Sequence, residues 1–179
     1  MELTFITNPV SGKRERIEVS DAHITFKNFA GAGSMYNREG DRNFALIIPT
    51  QEICDALLED KNQFGNGWKV KIKPPKTDED EPFMFLPIKV KFNGRGPRIW
   101  VESETNAYAP FELDEETVGR LDKMDIVKVD LDIRPYDDKM PNGTTFRTAY
   151  LQSMSVVQRS DRFADRYANR YDSDDMSDI

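Results

Sequence analysis

Residues 88–102 read IKVKFNGRGPRIWVE, and this stretch decides the fold. Ile88, Val90 and Phe92 alternate with Lys89 and Lys91, and Ile99 and Val101 alternate with Arg98, Trp100 and Glu102. A period of two is the side-chain period of a strand with one buried face. Between the two runs lies Asn93-Gly94-Arg95-Gly96-Pro97, rich in residues that reverse a chain. The stretch therefore reads as two strands joined by a turn.

Upstream the same signature recurs: Trp68, Val70 and Ile72 alternate with Lys69, Lys71 and Lys73. Earlier still, Ile24 and Phe26 alternate with Thr25 and Lys27, and Phe44, Leu46 and Ile48 mark another half-buried strand. Thr50 stands as an N-cap before a short helix over residues 51–60, with Ile53, Leu57 and Leu58 on one side and Cys54 as a small core residue. Downstream, Asp114 can cap a helix reaching Leu121, weakened by Gly119. Val127, Val129, Leu131 and Ile133 alternate with charged neighbours up to Pro135. A polar loop over residues 136–145 then leads to a last strand over 146–157.

From residue 68 the order is strand, strand, strand, helix, strand, strand, which is that of the OB-fold, a five-stranded Greek-key barrel. The expected class is mainly β: an OB-fold-like β-barrel with short helices, N-terminal β/α additions and a flexible acidic C-terminal tail. The expected divisions are a polar N-terminal arm over 1–22, an OB-fold-like domain over 23–158, an amphipathic linker or short helix over 159–171 and a disordered acidic tip over 172–179.

The chain has 179 residues with 25 Lys and Arg against 32 Asp and Glu, a net charge of −7. Its 11 Phe, 6 Tyr and 2 Trp are too many for a fully disordered polyelectrolyte. No run approaches the roughly 20 apolar residues of a membrane span, and residues 1–10 lack a leader pattern, so a cytoplasmic protein without a membrane partner is expected. One Cys and one His, Cys54 and His23, exclude a disulfide framework and a zinc site and leave nucleophilic triads without their usual members. Neither a metal nor a cofactor is expected. Gly31-Ala32-Gly33 opens no dinucleotide pattern, and a Walker motif is absent from the sequence.

A net negative charge argues against nucleic acid, but the charge is unevenly placed. Residues 61–98 carry nine cations against four acids, and those acids form the single run Asp78-Glu79-Asp80-Glu81 between prolines. Burying Val70, Ile72, Ile88, Val90, Ile99 and Val101 sends Lys69, Lys71, Lys73, Lys89, Lys91, Arg98 and Trp100 to the opposite face, with Arg95 in the adjoining turn. Alternating lysines are also the ordinary outer face of a half-buried sheet. Here, however, the charge has one sign and an indole stands among it, a combination suited to phosphates and unstacked bases. A second patch, Tyr36, Arg38 and Arg42, lies in the loop between two strands; it reads either as a stacking clamp or as a solvated turn balanced by Glu39 and Asp41.

Residues 161–171 repeat Asp/Asn-Arg-Phe/Tyr every four positions, which on a helix stacks Phe163, Tyr167 and Tyr171 in one stripe. The expectation is a short amphipathic helix that docks on the domain, a segment ordered only by a partner, or a frayed helical linker. The last eight residues hold four acids and no base; Asp174, Asp175, Met176, Asp178 and Ile179 are the candidate contacts to a protein partner with a basic, apolar pocket.

Residues 36–44 (YNREGDRNF), 70–75 (VKIKPP), 86–97 (LPIKVKFNGRGP), 129–136 (VDLDIRPY) and 147–158 (RTAYLQSMSVVQ) resemble the single-stranded DNA-binding proteins of tailed bacteriophages. The resemblance spans about residues 20–158. It implies an OB-fold that coats single strands during phage DNA replication or recombination, with replication or recombination proteins as tail partners. A homo-oligomer is compatible with that role. The tip resembles the acidic tails of bacterial single-strand binders but lacks their closing Pro-Phe. The expected function is sequence-independent binding and protection of single-stranded DNA by a protein that is not an enzyme. Two alternatives remain: a phage structural or adaptor protein, and a magnesium-dependent nuclease using Asp130 and Asp132, whose hard carboxylates would suit that ion.

Overall fold

The computed structural model describes residues 1–94 and 96–160. Its elements are β1 (Glu2–Thr7), β2 (Arg14–Ala22), β3 (Ile24–Asn28), β4 (Arg42–Ile48), α1 (Gln51–Glu59), β5 (Lys71–Lys73), β6 (Phe83–Val90), β7 (Arg98–Ser103), β8 (Phe111–Leu113), a 3-10 helix (Val118–Lys123), β9 (Ile126–Lys139) and β10 (Thr145–Gln158). The mainly β class holds. Thr50 caps α1 as its sequence position suggests, its Oγ1 accepting from the Ile53 amide at 3.3 Å. Asp114, by contrast, does not cap the helix: it accepts from the amides of Glu116 and Thr117, both at 3.0 Å, in the turn before a 3-10 helix whose N-cap is Thr117.

The long strand β10 is the spine of the sheet. On one side it pairs antiparallel with β9 along its whole length. On the other, Tyr150 lies beside Lys89 of β6 in parallel register, and residues 153–158 then run parallel to residues 98–103 of β7. The changeover coincides with a bulge between Leu151 and Ser153, where an extra residue re-aims the strand. The full order is β1-β2-β9-β10-β6-β4-β3, with β5 on β6 and β8 on β7. The sheet is not closed: the expected five-stranded barrel is an open, branched, mixed sheet of ten strands. Its inner face packs Ile17, Phe29, Phe44, Leu86, Ile99 and Ile133, all 2% exposed or less, into one core.

Five further local expectations are corrected. Residues 1–22 are a β-hairpin rather than a loose arm: Ile17, Val19 and Ala22 are buried while their charged neighbours face out, and β2 pairs with β9 near the middle of the sheet. The polar composition of this segment hid an ordinary one-sided strand. β9 does not stop at Pro135 but runs to Lys139. Pro135 lies beyond Ile133, the last β9 residue paired with β2, and a proline is tolerated on such a strand edge. β5 begins at Lys71, not at residue 68, because Trp68 is fixed on α1 instead of in the sheet. Its amide donates to the Leu57 carbonyl at 3.1 Å and its indole Nε1 to Asp60 Oδ2 at 2.8 Å. Gly67 permits this approach, since a Cβ there would stand 2.1 Å from the Leu58 carbonyl oxygen. Ile72, expected in the core, is 50% exposed on this three-residue edge strand. Finally, Phe26 is not on the buried face. Its φ of 49° at an irregularity in the β3–β4 pairing leaves it 53% exposed.

Candidate nucleic-acid interface

Along β6, Met84, Leu86, Ile88 and Val90 point into the core. Phe83, Phe85, Pro87 and Lys89 therefore share the outer face. Residues directly opposite one another in a ladder point to the same side, so Lys71 (opposite Phe85), Lys73 (opposite Phe83), Asn43 (opposite Lys89) and Tyr150 (beside Lys89) join that face.

The loop over residues 29–41 walls one end of it. Asp122 of the 3-10 helix accepts from the amides of Phe29 and Ala30 at 2.7 and 3.0 Å and fixes where the loop starts. Asn37 organises its turn: Nδ2 donates to the carbonyls of Ala32 and Asp41, both at 2.9 Å, and Oδ1 accepts from Asn43 Nδ2 at 2.9 Å. Gly31, with φ +70°, sits against the Gly40 backbone where a side chain would crowd it. Arg42 Nη1 donates to the Phe29 carbonyl at 2.6 Å, and its guanidinium lies 5.6 Å from the Phe92 ring centre. Arg42 thus braces the loop from inside the wall it also forms.

Loop and sheet enclose a cleft of about 590 Å³ whose lining includes Tyr36, Asn37, Asp41, Arg42, Asn43, Lys71, Lys89, Lys91 and Tyr150. Four cations and two tyrosines thus face one acid. Tyr150 is backed by the Arg134 guanidinium, 5.1 Å from its ring centre, and meets Tyr136 edge-on at 6.1 Å. Tyr36 projects from the loop almost fully exposed.

Of the residues singled out from sequence, Lys71, Lys89, Lys91, Arg42 and Tyr36 come together here. The single cationic face does not form as expected. Lys69 lines a separate hollow beside Trp68, Phe146 and Arg147. Lys73 lies over the rings of Phe26 and Phe85, 4.9 and 5.8 Å from their centres. Arg38 is exposed on the loop and does not line the cleft. Arg98 is engaged by Glu112 through two hydrogen bonds of 2.9 Å, which hold the carboxyl below its usual range, and it lies over Trp100 at 5.3 Å. Trp100, 39% exposed, borders a shallow depression lined by Glu18, Asp130 and Asp132. The reason is the bulge in β10: β7 joins the sheet only after it, so Trp100 sits opposite Ser155, whose β9 partner is Asp130. Arg95 lies outside the described residues. So do Asp174, Asp175, Met176, Asp178 and Ile179, together with the repeat over 161–171.

Asp130 and Asp132 serve as hydrogen-bond acceptors in that depression. Asp130 takes the Asp21 amide at 2.9 Å and Asp132 the Ser153 hydroxyl at 3.2 Å. Burial pushes the Asp132 carboxyl up, and the nearby charge of Glu18 adds to the effect.

Sequence reading missed Tyr150, Asn37, Asn43, Phe83 and Phe85. For Tyr150 a signal existed: Ala149 and Leu151 face inward, which sends Tyr150 out. For Phe83 and Phe85 there was none, because residues 83–88 are apolar throughout and give no inside or outside.

A sheet face that gathers cations and exposed rings around an accessible cleft has chemistry compatible with phosphates and unstacked bases. A family model described as "Putative phage ssDNA-binding domain" matches residues 7–179, and the chain belongs to this family of phage single-stranded DNA-binding proteins. Among solved structures, a single-stranded DNA-binding protein from bacteriophage Enc34 is similar over 90% of this chain and 91% of its own, with 20% identity and a TM-score of 0.47. A C-terminally truncated form of that protein is similar over 89% and 96%, with 18% identity and a TM-score of 0.42. No curated protein matches the sequence. Among the described residues no helix is long and apolar enough to cross a membrane.

Proposed function

We propose that the protein holds single-stranded DNA in the cleft between the 29–41 loop and the outer face of β4, β6 and β10, without reading its sequence. It acts as a non-enzymatic binder in phage DNA replication or recombination in the host cytoplasm. The observation that supports this reading is the convergence of Arg42, Lys71, Lys89 and Lys91 with Tyr36 and Tyr150 on one cleft. Cations neutralise the phosphates and release counterions, and tyrosine rings stack on bases of any identity. The net charge of −7 keeps this attraction local. Acidic surface elsewhere repels a polyanion, so contact is confined to the sheet face that carries the cleft. In this reading residues 172–179, four acids without a base, are the segment that engages a protein partner.

Titration of labelled homo-oligonucleotides at several salt concentrations tests the proposal. The expected result is similar affinity for different base compositions and a linear fall of log affinity with log salt. Affinity indifferent to salt, or none at low salt, overturns it.

A further inference from the structure

The cleft leaves unused an aromatic cluster in which Phe26 and Phe83 are exposed over the buried ring of Phe85. Phe26, 53% exposed, meets Phe83 and Phe85 edge-on at 6.1 and 5.3 Å between ring centres, and Phe83 and Phe85 lie 5.6 Å apart. Lys73 stands over the Phe26 and Phe85 rings. Phe26 holds a left-handed backbone conformation that a bulky side chain rarely adopts. Here it turns a ring that the strand pattern would bury out onto the face of β6. Strain of this kind persists only where the surroundings enforce it, and it concentrates at binding sites.

The position of the cluster decides what it can do. Phe83, Phe85, Pro87 and Lys89 follow one another at every second residue of β6, so cluster and cleft are two ends of one track. At about 3.3 Å per residue the track is roughly 20 Å long. Lys73 and Lys71 flank it on β5, while Lys89 and Tyr150 close the cleft end. Rings with cations beside them, continuous with a cationic cleft, have the chemistry of a stacking platform for bases whose phosphates are held alongside.

We propose that Phe26 and Phe83, seated on the buried Phe85 ring and flanked by Lys73, form a second stacking subsite for the same DNA strand, which runs along β6 from the cleft to this cluster. The proposal rests on the cleft reading above. It makes affinity depend on oligonucleotide length: a strand of about 4 nucleotides fills the cleft alone, and one of about 8 to 16 reaches the platform, within the span one such domain covers.

The test compares oligo-dT of those lengths on the full chain and on Phe26→Ala/Phe83→Ala. The double variant is expected to bind the long strand roughly tenfold to a hundredfold more weakly, with an unchanged salt slope, because stacking releases no counterions. Its affinity for the short strand stays at the parent value, which also reports an intact fold. Phe26→Tyr/Phe83→Tyr is expected to restore the gain with length. Equal binding of the long strand by parent and alanine variant overturns the platform and leaves the cleft standing. Loss of binding at both lengths on Lys71→Ala/Lys89→Ala supports the cleft as entry point, whereas a parent that binds neither length overturns both readings. Should the alanine variant change the oligomeric state without DNA, the cluster is an interface between copies and the proposal fails.

Discussion

Arg147 and Asp137 face each other directly across the β9–β10 pair, the guanidinium donating from Nε and Nη2 to the two carboxylate oxygens at 2.8 and 3.2 Å. Arg147 is 3% exposed, and its remaining nitrogen, Nη1, donates to the Asp60 carbonyl at 2.6 Å. Its plane lies 4.9 Å from the Trp68 ring centre, and Asp60 is further held by Arg14 at 3.0 Å. One buried cation therefore ties β10 and β9 to the end of α1, and Asp60 ties in β2.

Removing the arginine takes the shared cation from two carboxylates that are only one-sixth exposed, leaving Asp60 with Arg14 and Trp68 and Asp137 with Asn62. Arg147→Met keeps the volume and most of the contact with Trp68 but leaves Asp60 and Asp137 without their shared partner. It is expected to cost roughly 3 kcal/mol, the lower end for breaking a buried ion pair. Urea denaturation reads this as a lower midpoint at unchanged slope. A loss under 1 kcal/mol would show that the carboxylates rehydrate freely.

Asp60 makes the same hub sensitive to acid. Burial alone would raise its carboxyl. The hydrogen bonds from Arg14 and Trp68 and the charges of Arg14 and Arg147 outweigh that and hold it below the usual value. A depressed carboxyl stabilises the fold fully above its unfolded value of about 3.9, and that contribution is lost as pH falls through the folded value. Stability followed from pH 6 down to pH 2 is expected to drop steeply below about pH 4. In Asp60→Asn the fold is weaker at neutral pH and the acid limb shallower. A parallel pair of curves would remove Asp60 as the cause.

The legible and illegible parts of the chain divide along physical lines. Strands with one polar and one apolar face, such as residues 44–48 and 127–133, announce themselves through their period, as do caps such as Thr50. Two features did not. The bulge after Leu151 moves β7 away from the cleft and places Trp100 among acids, and no residue pattern encodes that changeover. The backbone of Phe26 reverses the side its position implies, which only the completed β3–β4 pairing imposes. Lysines common to every strand edge were legible as a group; which of them share a cleft was a question of pairing partners.

That partition yields a charge prediction. Lys71 and Lys89 line the cleft, whereas Lys69 faces the hollow beside Trp68. A phosphate contact on a single strand contributes about 0.7 to the slope of log affinity against log salt. Lys71→Ala and Lys89→Ala are each expected to lower that slope by about this amount and to weaken binding for all sequences alike, while Lys69→Ala leaves it unchanged. An equal drop for all three would restore the single cationic face expected from the strand pattern alone.

The two aromatic candidates can be separated in the same assay. Tyr150 stands beside Lys89 with Arg134 over its ring and opens into the cleft. Trp100 has the Glu112-paired Arg98 over one part of its ring and borders Glu18, Asp130 and Asp132, which repel phosphate. Loss of a stacked ring costs about 1–3 kcal/mol per base, and a phenyl ring stacks as a phenol does. Tyr150→Ala is therefore expected to weaken oligo-dT binding by roughly tenfold to a hundredfold at constant salt slope, and Tyr150→Phe to bind as the parent. Trp100→Ala should leave affinity within about twofold, less than the loss of any stacked base. Quenching of tryptophan emission by saturating oligonucleotide gives an independent reading. With Trp68 buried and Trp100 remote, the change on binding should be small, and strong quenching abolished by Trp100→Ala would move the strand onto the β7 side of the bulge.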